Sequence, residues 1–189
     1  MLKIALTGNI ASGKTTVEKI LKSKGCEVLD TDSAGHEILK NCEEVKNAFK
    51  NYDVFENGEI SRDKLGKLVF SNPDLLRKLE SVVHPQIKEK IKEFFEKNCH
   101  EKYTVVSIPL LFETGMENLF DRIVFVYADD DLRLKRLIER SGYSKEYAEK
   151  RLKSQGLQQE KIKKSDIIIY NNGSLEDLAK QVDEIFRLE

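Results

Sequence analysis

Eight consecutive residues near the start of the chain place two glycines, a lysine and a threonine at a spacing that suits phosphate. Gly8 to Thr15 read Gly-Asn-Ile-Ala-Ser-Gly-Lys-Thr and match the pattern G-x-x-x-x-G-K-[ST]. In that pattern the glycines let backbone N–H groups turn toward phosphate oxygens, and the following helix directs its positive end at the same anion. Lys14 would reach the β and γ phosphates, and the Thr15 hydroxyl would ligate Mg²⁺. We predict Mg²⁺ as a cofactor with Thr15 as its protein ligand, and these nucleotide-binding residues: Gly8, Ala11, Ser12, Gly13, Lys14, Thr15 and Thr16.

Two aspartates, Asp30 and Asp32, follow the next predicted strand. A carboxylate at that point can accept the proton of an attacking hydroxyl, as phosphoryl transfer requires. An aspartate between a strand and a helix can equally be a helix cap. The residues alone leave both roles open for both aspartates.

A basic segment begins after residue 129, and its arginines share a helix face. Arg136 and Arg140 are four residues apart, and Arg133 lies on nearly the same face. Guanidinium groups suit the charge of a transferring phosphoryl group. The alternative is a solvated helix face interleaved with Glu139. The position of the segment after a strand, in a chain with a phosphate loop, favours the phosphate role.

The elements that position these residues predict an α/β fold with five parallel strands. Short apolar runs predict strands over residues 2–7, 27–30, 103–108, 122–127 and 166–170, and a helix is expected over 14–24. Polar or glycine-rich clusters follow each strand, so they are expected at one edge of the sheet. The second strand is expected beside the first, which would bring Asp32 near the phosphate loop.

Residues 33–98 show no convincing strand and are too many for a loop. We predict a helical subdomain there, with one long helix interrupted at His84-Pro85 because proline disfavours helical backbone in the residue before it. His84 by itself suits a turn better than catalysis. The predicted organisation is a nucleotide-binding core (1–32, 99–130 and 156–189), a helical acceptor subdomain (33–98) and a helical lid (131–155).

The overall composition of the chain excludes several classes of protein. Among 189 residues, 32 lysines and arginines face 33 aspartates and glutamates, a net charge of −1, which disfavours a nucleic-acid-coating protein. Apolar stretches fall far short of the roughly 18 residues that a membrane span needs. Three widely spaced cysteines favour free thiols in a reducing compartment. We expect a cytoplasmic protein, monomeric or weakly oligomeric, with small-molecule substrates and neither nucleic-acid nor membrane partners.

The phosphate loop alone does not define a reaction. The sequence contains no Asn-Lys-x-Asp guanine signature and no apolar strand ending in Asp-Glu, which disfavours a switch GTPase and an ATP-driven motor. A helical insert and a basic segment instead favour a small-molecule kinase, which needs an acceptor pocket and a lid that excludes water.

Further motifs extend this interpretation along the whole chain. They include Val28-Leu29-Asp30-Thr31-Asp32, Ser61-Arg62, His84-Pro85-Gln86-Ile87, Pro109-Leu110-Leu111-Phe112-Glu113, Arg136-Leu137 with Arg140, Arg151 and Gln155, and Asn171-Asn172-Gly173. In these motifs and their order, the chain resembles the dephospho-CoA kinase family.

The resemblance implies transfer of the ATP γ-phosphoryl group to the ribose 3′-hydroxyl of dephospho-CoA, the last step of coenzyme A synthesis, on a fold similar to that of nucleoside monophosphate kinases. It implies that Asp32 is the general base and that Lys14 and Arg140 are catalytic. It places Arg136 and Arg140 on phosphates and Asn172 and Gly173 near the adenine. The residues implied for the acceptor site are Asp32, Arg62, His84, Pro109, Leu110 and Glu113.

Three positions depart from the family pattern. Asn9 and Ala11 stand where glycine is frequent, which is tolerated if their φ angles are negative. Ser107 stands where an acidic residue is common, so Mg²⁺ would rest on Thr15, phosphates and water. Two alternatives remain: a kinase acting on a nucleoside monophosphate, and a nucleotide-sensing protein with no acceptor.

Overall fold

The computed structural model describes residues 1–186 and divides into two compact units. One unit joins Met1–Leu29 to the chain from Asn98 onward, and the other is Asp30–Lys97. The strands are β1 (Leu2–Thr7), β2 (Val28–Asp30), β3 (Phe55–Glu56), β4 (Glu59–Ile60), β5 (Tyr103–Ser107), β6 (Arg122–Tyr127) and β7 (Ile167–Tyr170). The α-helices are α1 (Lys14–Ser23), α2 (Thr31–Asn41), α3 (Glu43–Phe49), α4 (Arg62–Phe70), α5 (Pro73–Lys97), α6 (Asp130–Ser141), α7 (Lys145–Lys153), α8 (Gln158–Ile162) and α9 (Leu175–Phe186).

The five predicted strands form one sheet in the order β2-β5-β1-β6-β7. The pairs β1–β5, β1–β6 and β6–β7 are parallel, with Ala5 opposite both Val106 and Ile123. The predicted α/β fold with a five-stranded parallel sheet is therefore confirmed. The prediction that β2 lies beside β1 is wrong. Because β1 is hydrogen-bonded to β5 on one side and to β6 on the other, it has no edge left for β2.

The core of the first unit is built from the apolar runs that predicted the strands. Leu6, Val105 and Val124 come from neighbouring strands and are fully buried. Val17 and Leu21 of α1 pack into the same cluster, as does Val182 of α9. Burying these side chains stabilises the sheet by about 1.5–3 kcal/mol each. The rigid sheet fixes the loops at the carboxyl ends of its strands.

A two-stranded hairpin interrupts the helices of the second unit, where no strand was expected. β3 pairs antiparallel with β4, with Phe55 opposite Ile60. Asn57 and Gly58 connect them with φ angles of 50° and 81°. Two consecutive residues with positive φ are what a tight hairpin turn needs, and Asn-Gly is the dipeptide that supplies them most readily.

The helix α5 runs without a break through Pro85, so the predicted interruption at His84-Pro85 is wrong. A proline inside a helix costs about 3 kcal/mol, mainly through a lost hydrogen bond and a steric clash. An apolar stripe on both sides of the proline offsets this cost. Leu79, Val83 and Ile87 pack against the second unit's core, and Ile91 farther along is 1% exposed.

Other helix boundaries agree with the sequence. A break between Ser141 and Ser144 separates α6 from α7, with Gly142 in a left-handed conformation and the Ser144 hydroxyl accepting from the Tyr147 N–H. Ser174 and Asp177 cap α9 reciprocally, in the pattern of a capping box. None of the helices within residues 1–186 is long and apolar enough to cross a membrane.

Candidate active site

The phosphate loop, residues 8–15, lies between β1 and α1 in the conformation that its glycines permit. A Cβ atom at Gly8 would lie 2.6 Å from Ser12 Oγ and 2.7 Å from the Val126 carbonyl oxygen, so a side chain does not fit. Gly13 has a φ of 98°, and a Cβ there would lie 1.9 Å from Asn171 Nδ2. Both glycines are therefore required by close packing.

Ala11 adopts a φ of 62°, the left-handed region that favours glycine. Alanine was expected to be tolerated here if its φ were negative. The positive φ means that Ala11 is strained, at a cost of about 1–2 kcal/mol. Asn9 differs, because its φ is not positive. Asn9 is 2% exposed, and its Nδ2 donates to the Gly156 carbonyl at 3.2 Å.

The helix α1 begins at Lys14 with its backbone donors open to an anion. Its N-cap is Gly13, which has no side chain to bond the first N–H groups, and no acidic residue stands in the first turn. The Thr15 side chain is exposed beside these donors. An uncapped helix N-terminus after such a loop is a binding site for phosphate.

Lys14 is half-buried and does not extend into solvent. Its Nζ lies 2.8 Å from Glu18 Oε1 and 2.5 Å from Ser107 Oγ. Glu18 is one turn along α1, and Ser107 ends β5 beside β1. The ammonium group is therefore held on the sheet edge next to the loop.

The outer turn of the phosphate loop is clamped by residues far along the chain. Arg133 Nε donates to the Ile10 carbonyl at 2.9 Å, and Gln155 Oε1 accepts from the Ile10 N–H at 2.5 Å. Arg133 is 2% exposed, and burial lowers the pKa of its guanidinium while Asp130 opposes that shift. Arg133 is thus a buried support of the loop.

A pocket of about 230 Å³ opens beside α1, and it contains part of the predicted nucleotide site. The Arg136 Nη2 donates to the Asn171 carbonyl at 3.0 Å, and Asn171 Nδ2 donates to the Ser12 carbonyl at 2.7 Å. Arg136 Nη1 is buried and has no hydrogen-bond partner within residues 1–186. That donor is suited to an anionic ligand. The lining residues are Gly13, Thr16, Arg136, Asn171, Gly173, Leu175 and Leu178.

Two other predicted nucleotide contacts differ in their surroundings. Asn172 Oδ1 accepts from the Asp129 N–H at 2.9 Å, and Asn172 is not among the residues that line the pocket. Arg140 is exposed in the last turn of α6, one turn beyond Arg136. The structure thus brings Arg136 and Gly173 to one pocket and leaves Arg140 at the surface.

The turn after β5 contains three of the predicted acceptor residues. Pro109 is half-buried, and Leu110 and Glu113 are exposed. Glu113 Oε1 lies 2.5 Å from Lys161 Nζ, and both residues line a second pocket of about 270 Å³. Glu113 is therefore already paired with a cation of the same unit.

The unit Asp30–Lys97 contains the remaining predicted residues. Asp30 caps α2, with Oδ1 accepting from the Asp32 N–H at 3.0 Å and Oδ2 accepting from Ser33 Oγ at 2.9 Å. Asp32 is exposed in the first turn of α2, where the helix dipole favours a negative charge. Arg62 is exposed at the start of α4, and His84 is half-buried in α5.

Sequence reasoning missed two residues that the structure brings to the loop. Asn171 carried no separate prediction, although it stands directly after a strand. Glu18 resembles an ordinary surface partner of Lys14 in the sequence, and yet it is 5% exposed. A carboxylate four residues after the phosphate-loop lysine, on the apolar side of α1, was the available signal.

Comparison with known proteins identifies the relatives of this chain. The family model described as dephospho-CoA kinase matches residues 2–177. The dephospho-CoA kinase of Fusobacterium nucleatum is 43% identical over 183 residues, which cover 95% of this chain and 94% of that protein. A crystal structure from Thermus thermophilus is 36% identical with a TM-score of 0.87, covering 98% of this chain and 96% of the other. Dephospho-CoA kinase from Campylobacter jejuni is 34% identical with a TM-score of 0.76, covering 98% and 95%.

A parallel sheet with a phosphate loop after β1 defines a P-loop nucleotide-binding fold, and the matched family makes the chain a P-loop kinase. The family model and the relatives named above match nearly the full length of the chain. The chain belongs to the dephospho-CoA kinase family, whose reaction is the final step of coenzyme A biosynthesis.

Proposed function

We propose that this chain transfers the γ-phosphoryl group of ATP to the 3′-hydroxyl of dephospho-CoA, using the residues predicted from its sequence. One observation carries the assignment of the nucleotide site: Gly13, at the uncapped N-terminus of α1, lines the same pocket as Arg136, whose buried Nη1 has no hydrogen-bond partner among residues 1–186. Backbone N–H groups at the start of α1, among them those of Lys14 and Thr15, then bind the phosphates, and the Lys14 side chain neutralises the β and γ phosphates.

The surroundings of Thr15 fit a magnesium ion bound together with the nucleotide. Mg²⁺ prefers one or two protein oxygens plus phosphate and water ligands, and the exposed Thr15 hydroxyl supplies one such oxygen. Within residues 1–186 no cluster of three His, Cys, Asp or Glu side chains could hold a metal. When bound, Mg²⁺ neutralises charge that develops on the phosphates.

Asp32 is the proposed general base. Both carboxylate oxygens of Asp30 accept hydrogen bonds at the start of α2, whereas Asp32 is exposed two residues farther along, in the first turn of the helix. A base must reach the proton of the attacking hydroxyl, so an exposed carboxylate suits the role better than a capping one. Arg140 is proposed to act on the transferring phosphoryl group.

The remaining assignments are also proposals. Arg62, His84, Pro109, Leu110 and Glu113 are assigned to dephospho-CoA, and Asn172 and Gly173 to the adenine. Residues 33–98 are assigned to the acceptor and 131–155 to the lid. The nucleotide-binding core is 1–32, 99–130 and 156–189, and its last three residues lie outside the described part of the chain. The cytoplasmic location, the monomeric or weakly oligomeric state and the lack of nucleic-acid and membrane partners stay predictions.

The direct test measures ADP release from Mg-ATP with and without dephospho-CoA, with AMP as the control acceptor. We expect strong stimulation by dephospho-CoA and none by AMP. Stimulation by AMP alone would assign the protein to nucleoside monophosphate chemistry. ATP binding without stimulation by either acceptor would favour a nucleotide sensor.

A matched pair of variants tests the base. Asp32→Asn should lower kcat by about 10²–10⁴-fold with nucleotide affinity retained, since proton transfer alone is lost. Asp30→Asn should change kcat much less, because the amide oxygen of asparagine can still accept the capping bond from the Asp32 N–H. A larger loss of kcat in Asp30→Asn would assign the base to Asp30.

A further inference from the structure

A buried carboxylate lies next to the phosphate loop and has no role in the reaction as described so far. Glu18 is 5% exposed, and its Oε1 lies 2.8 Å from Lys14 Nζ. A carboxylate removed from water is costly unless a cation and hydrogen bonds compensate it. Its position in a site that binds polyanions adds a further cost, because like charges repel. The contacts of the Glu18 carboxylate must therefore compensate both costs.

Ser107 completes the environment of this carboxylate from the neighbouring strand. Its Oγ lies 2.5 Å from Glu18 Oε1, to which the hydroxyl donates, and 2.5 Å from Lys14 Nζ, from which it accepts. Ser107 is fully buried at the end of β5, opposite Leu6 of β1. Three groups from two elements are therefore within hydrogen-bond distance of one another.

Other lysine–glutamate pairs in the chain with the same spacing have different surroundings. In the Lys180–Glu176 pair of α9, the side chains are 65% and 78% exposed, and such surface pairs contribute little. In the Lys14–Glu18 pair the side chains are 12% and 7% exposed. The low exposure means that the ammonium and the carboxylate have fixed positions.

The number of N–H donors on Lys14 shows how the contacts with Glu18 and Ser107 leave the ammonium able to bind phosphate. An ammonium group has three N–H donors. Within residues 1–186, Glu18 and Ser107 take two of them, so the third remains for a phosphate oxygen. Because two contacts fix the position of Nζ, nucleotide binding does not have to order a free lysine side chain.

We propose that Glu18 is a positioning residue, whose carboxylate is fixed by Ser107 and holds Lys14 at the phosphate loop. The negative charge beside Lys14 is supplied in this chain from α1, and Ser107 at the end of β5 is close enough to Lys14 for a carboxylate there to replace it. The inference rests on the proposed function of the phosphate loop. Glu18 itself does not touch the substrates.

Three variants test the proposal through nucleotide affinity and turnover. Glu18→Gln keeps the shape and removes the charge, Glu18→Ala removes the group, and Glu18→Ala/Ser107→Asp returns a carboxylate from β5. We expect Glu18→Gln and Glu18→Ala to weaken Mg-ATP binding by about tenfold and to lower kcat by about 10–10²-fold, because a charged hydrogen bond to Lys14 is lost. The affinity for AMP, which has neither β nor γ phosphate, should be unchanged.

The double variant separates positioning from folding. It should recover most of the Mg-ATP affinity and kcat that Glu18→Ala loses, whereas a residue needed only for packing would not be replaced from another strand. Glu176→Ala, which breaks an exposed pair of the same spacing, should behave as wild type. Wild-type affinity for Mg-ATP in Glu18→Gln, equal losses for ATP and AMP, or a double variant as weak as Glu18→Ala would each overturn the proposal.

The measurement of nucleotide affinity also distinguishes a failure of this proposal from a failure of the proposed function. If the wild-type protein releases no ADP with dephospho-CoA, the proposed function fails. The ATP-against-AMP comparison still decides the role of Glu18.

Discussion

Arg133 Nε donates to the carbonyl oxygen of Ile10 at 2.9 Å, joining two residues that are 123 positions apart in the sequence. The guanidinium also bonds Asp130 through Nη1 at 2.7 Å. The first turn of α6 is therefore attached to the phosphate loop. A helix that was predicted only to present arginines to phosphate also supports the backbone that binds the phosphate.

Arg133→Ala should lower the free energy of unfolding by about 2–4 kcal/mol and weaken ATP binding. The reason is that the Ile10 carbonyl loses a buried, charged donor and the long side chain leaves a gap. Urea unfolding and nucleotide titration measure the two effects. Lys135→Ala, at an exposed position of the same helix, is the control, and equal stability of the two variants would contradict the supporting role.

Ala11→Gly should raise the free energy of unfolding, by up to about 1 kcal/mol. Glycine relieves the strain of a φ of 62°, and this gain exceeds the extra entropy that glycine gives the unfolded chain. Ala148→Gly is the matched control, because Ala148 is buried inside α7 and should lose about 1 kcal/mol. Losses of equal size in both variants would show that Ala11 is unstrained.

Two glycines of the unit Asp30–Lys97 should respond in opposite directions to alanine. Gly58→Ala should lower the free energy of unfolding by about 1 kcal/mol or more, because its φ of 81° strains any residue with a Cβ. Since no atom of residues 1–186 lies within 4 Å of the added Cβ, the loss would come from the backbone strain and not from a clash. Gly66→Ala should raise it by about 0.5–1 kcal/mol, because Gly66 is inside α4 and the new Cβ would meet the Phe70 ring at 3.7 Å. Denaturant unfolding of both variants tests the hairpin turn, which is excluded if Gly58→Ala is neutral.

Arg140→Ala should lower kcat by about 10–10²-fold and change the KM for ATP much less. A guanidinium that acts on the transferring phosphoryl group stabilises the transition state more than bound ATP. Arg140→Lys should recover only part of kcat, because an ammonium cannot make the paired contacts of a guanidinium. Steady-state kinetics decide between this role and a solvated helix face, for which kcat would not change.

The cap of α9 should make stability depend on acidic pH. Ser174 donates to Asp177 through both its hydroxyl and its N–H, which holds the pKa of Asp177 below its ordinary value of 3.8. Because the folded-state pKa is the lower one, the ionised carboxylate stabilises the fold above about pH 3.8, and this contribution is lost as pH falls through the folded-state value.

Asp177→Asn should therefore unfold at a lower temperature than wild type at pH 7, and the difference should shrink below pH 3.8. Ser174→Ala removes the hydroxyl donor but keeps the N–H donor, so it should show the same trend with a smaller amplitude. Thermal unfolding from pH 3 to pH 7 provides the measurement. A constant difference across that range would mean that the charge of Asp177 plays no part.

The features that the sequence predicted correctly depend on neighbouring residues. The strand, loop and helix over residues 2–23 follow from a local apolar pattern and from a glycine spacing that is visible in the sequence, although the atoms that crowd Gly8 and Gly13 come from Val126 and Asn171. The hairpin at Asn57-Gly58 was also predictable, but its strands are only two residues long and the helical pattern around them dominates.

The remaining features arise from tertiary contacts. The place of β2 depends on which edges of β1 are already taken. The unbroken α5 depends on a core that outweighs Pro85. Glu18 and Asn171 have ordinary sequence surroundings, and their importance comes from being buried against residues far along the chain.

The bond from Asn171 to Ser12 has a consequence for protein synthesis. The phosphate loop leaves the ribosome before Asn171, whose side chain bonds the Ser12 carbonyl and is made 159 residues later. A nascent chain that stops short of β7 thus has the complete loop sequence without the contact that closes it. Nucleotide can therefore stabilise the closed loop only after β7 and Asn171 have been made, so the ligand assists chains that contain them and not shorter precursors.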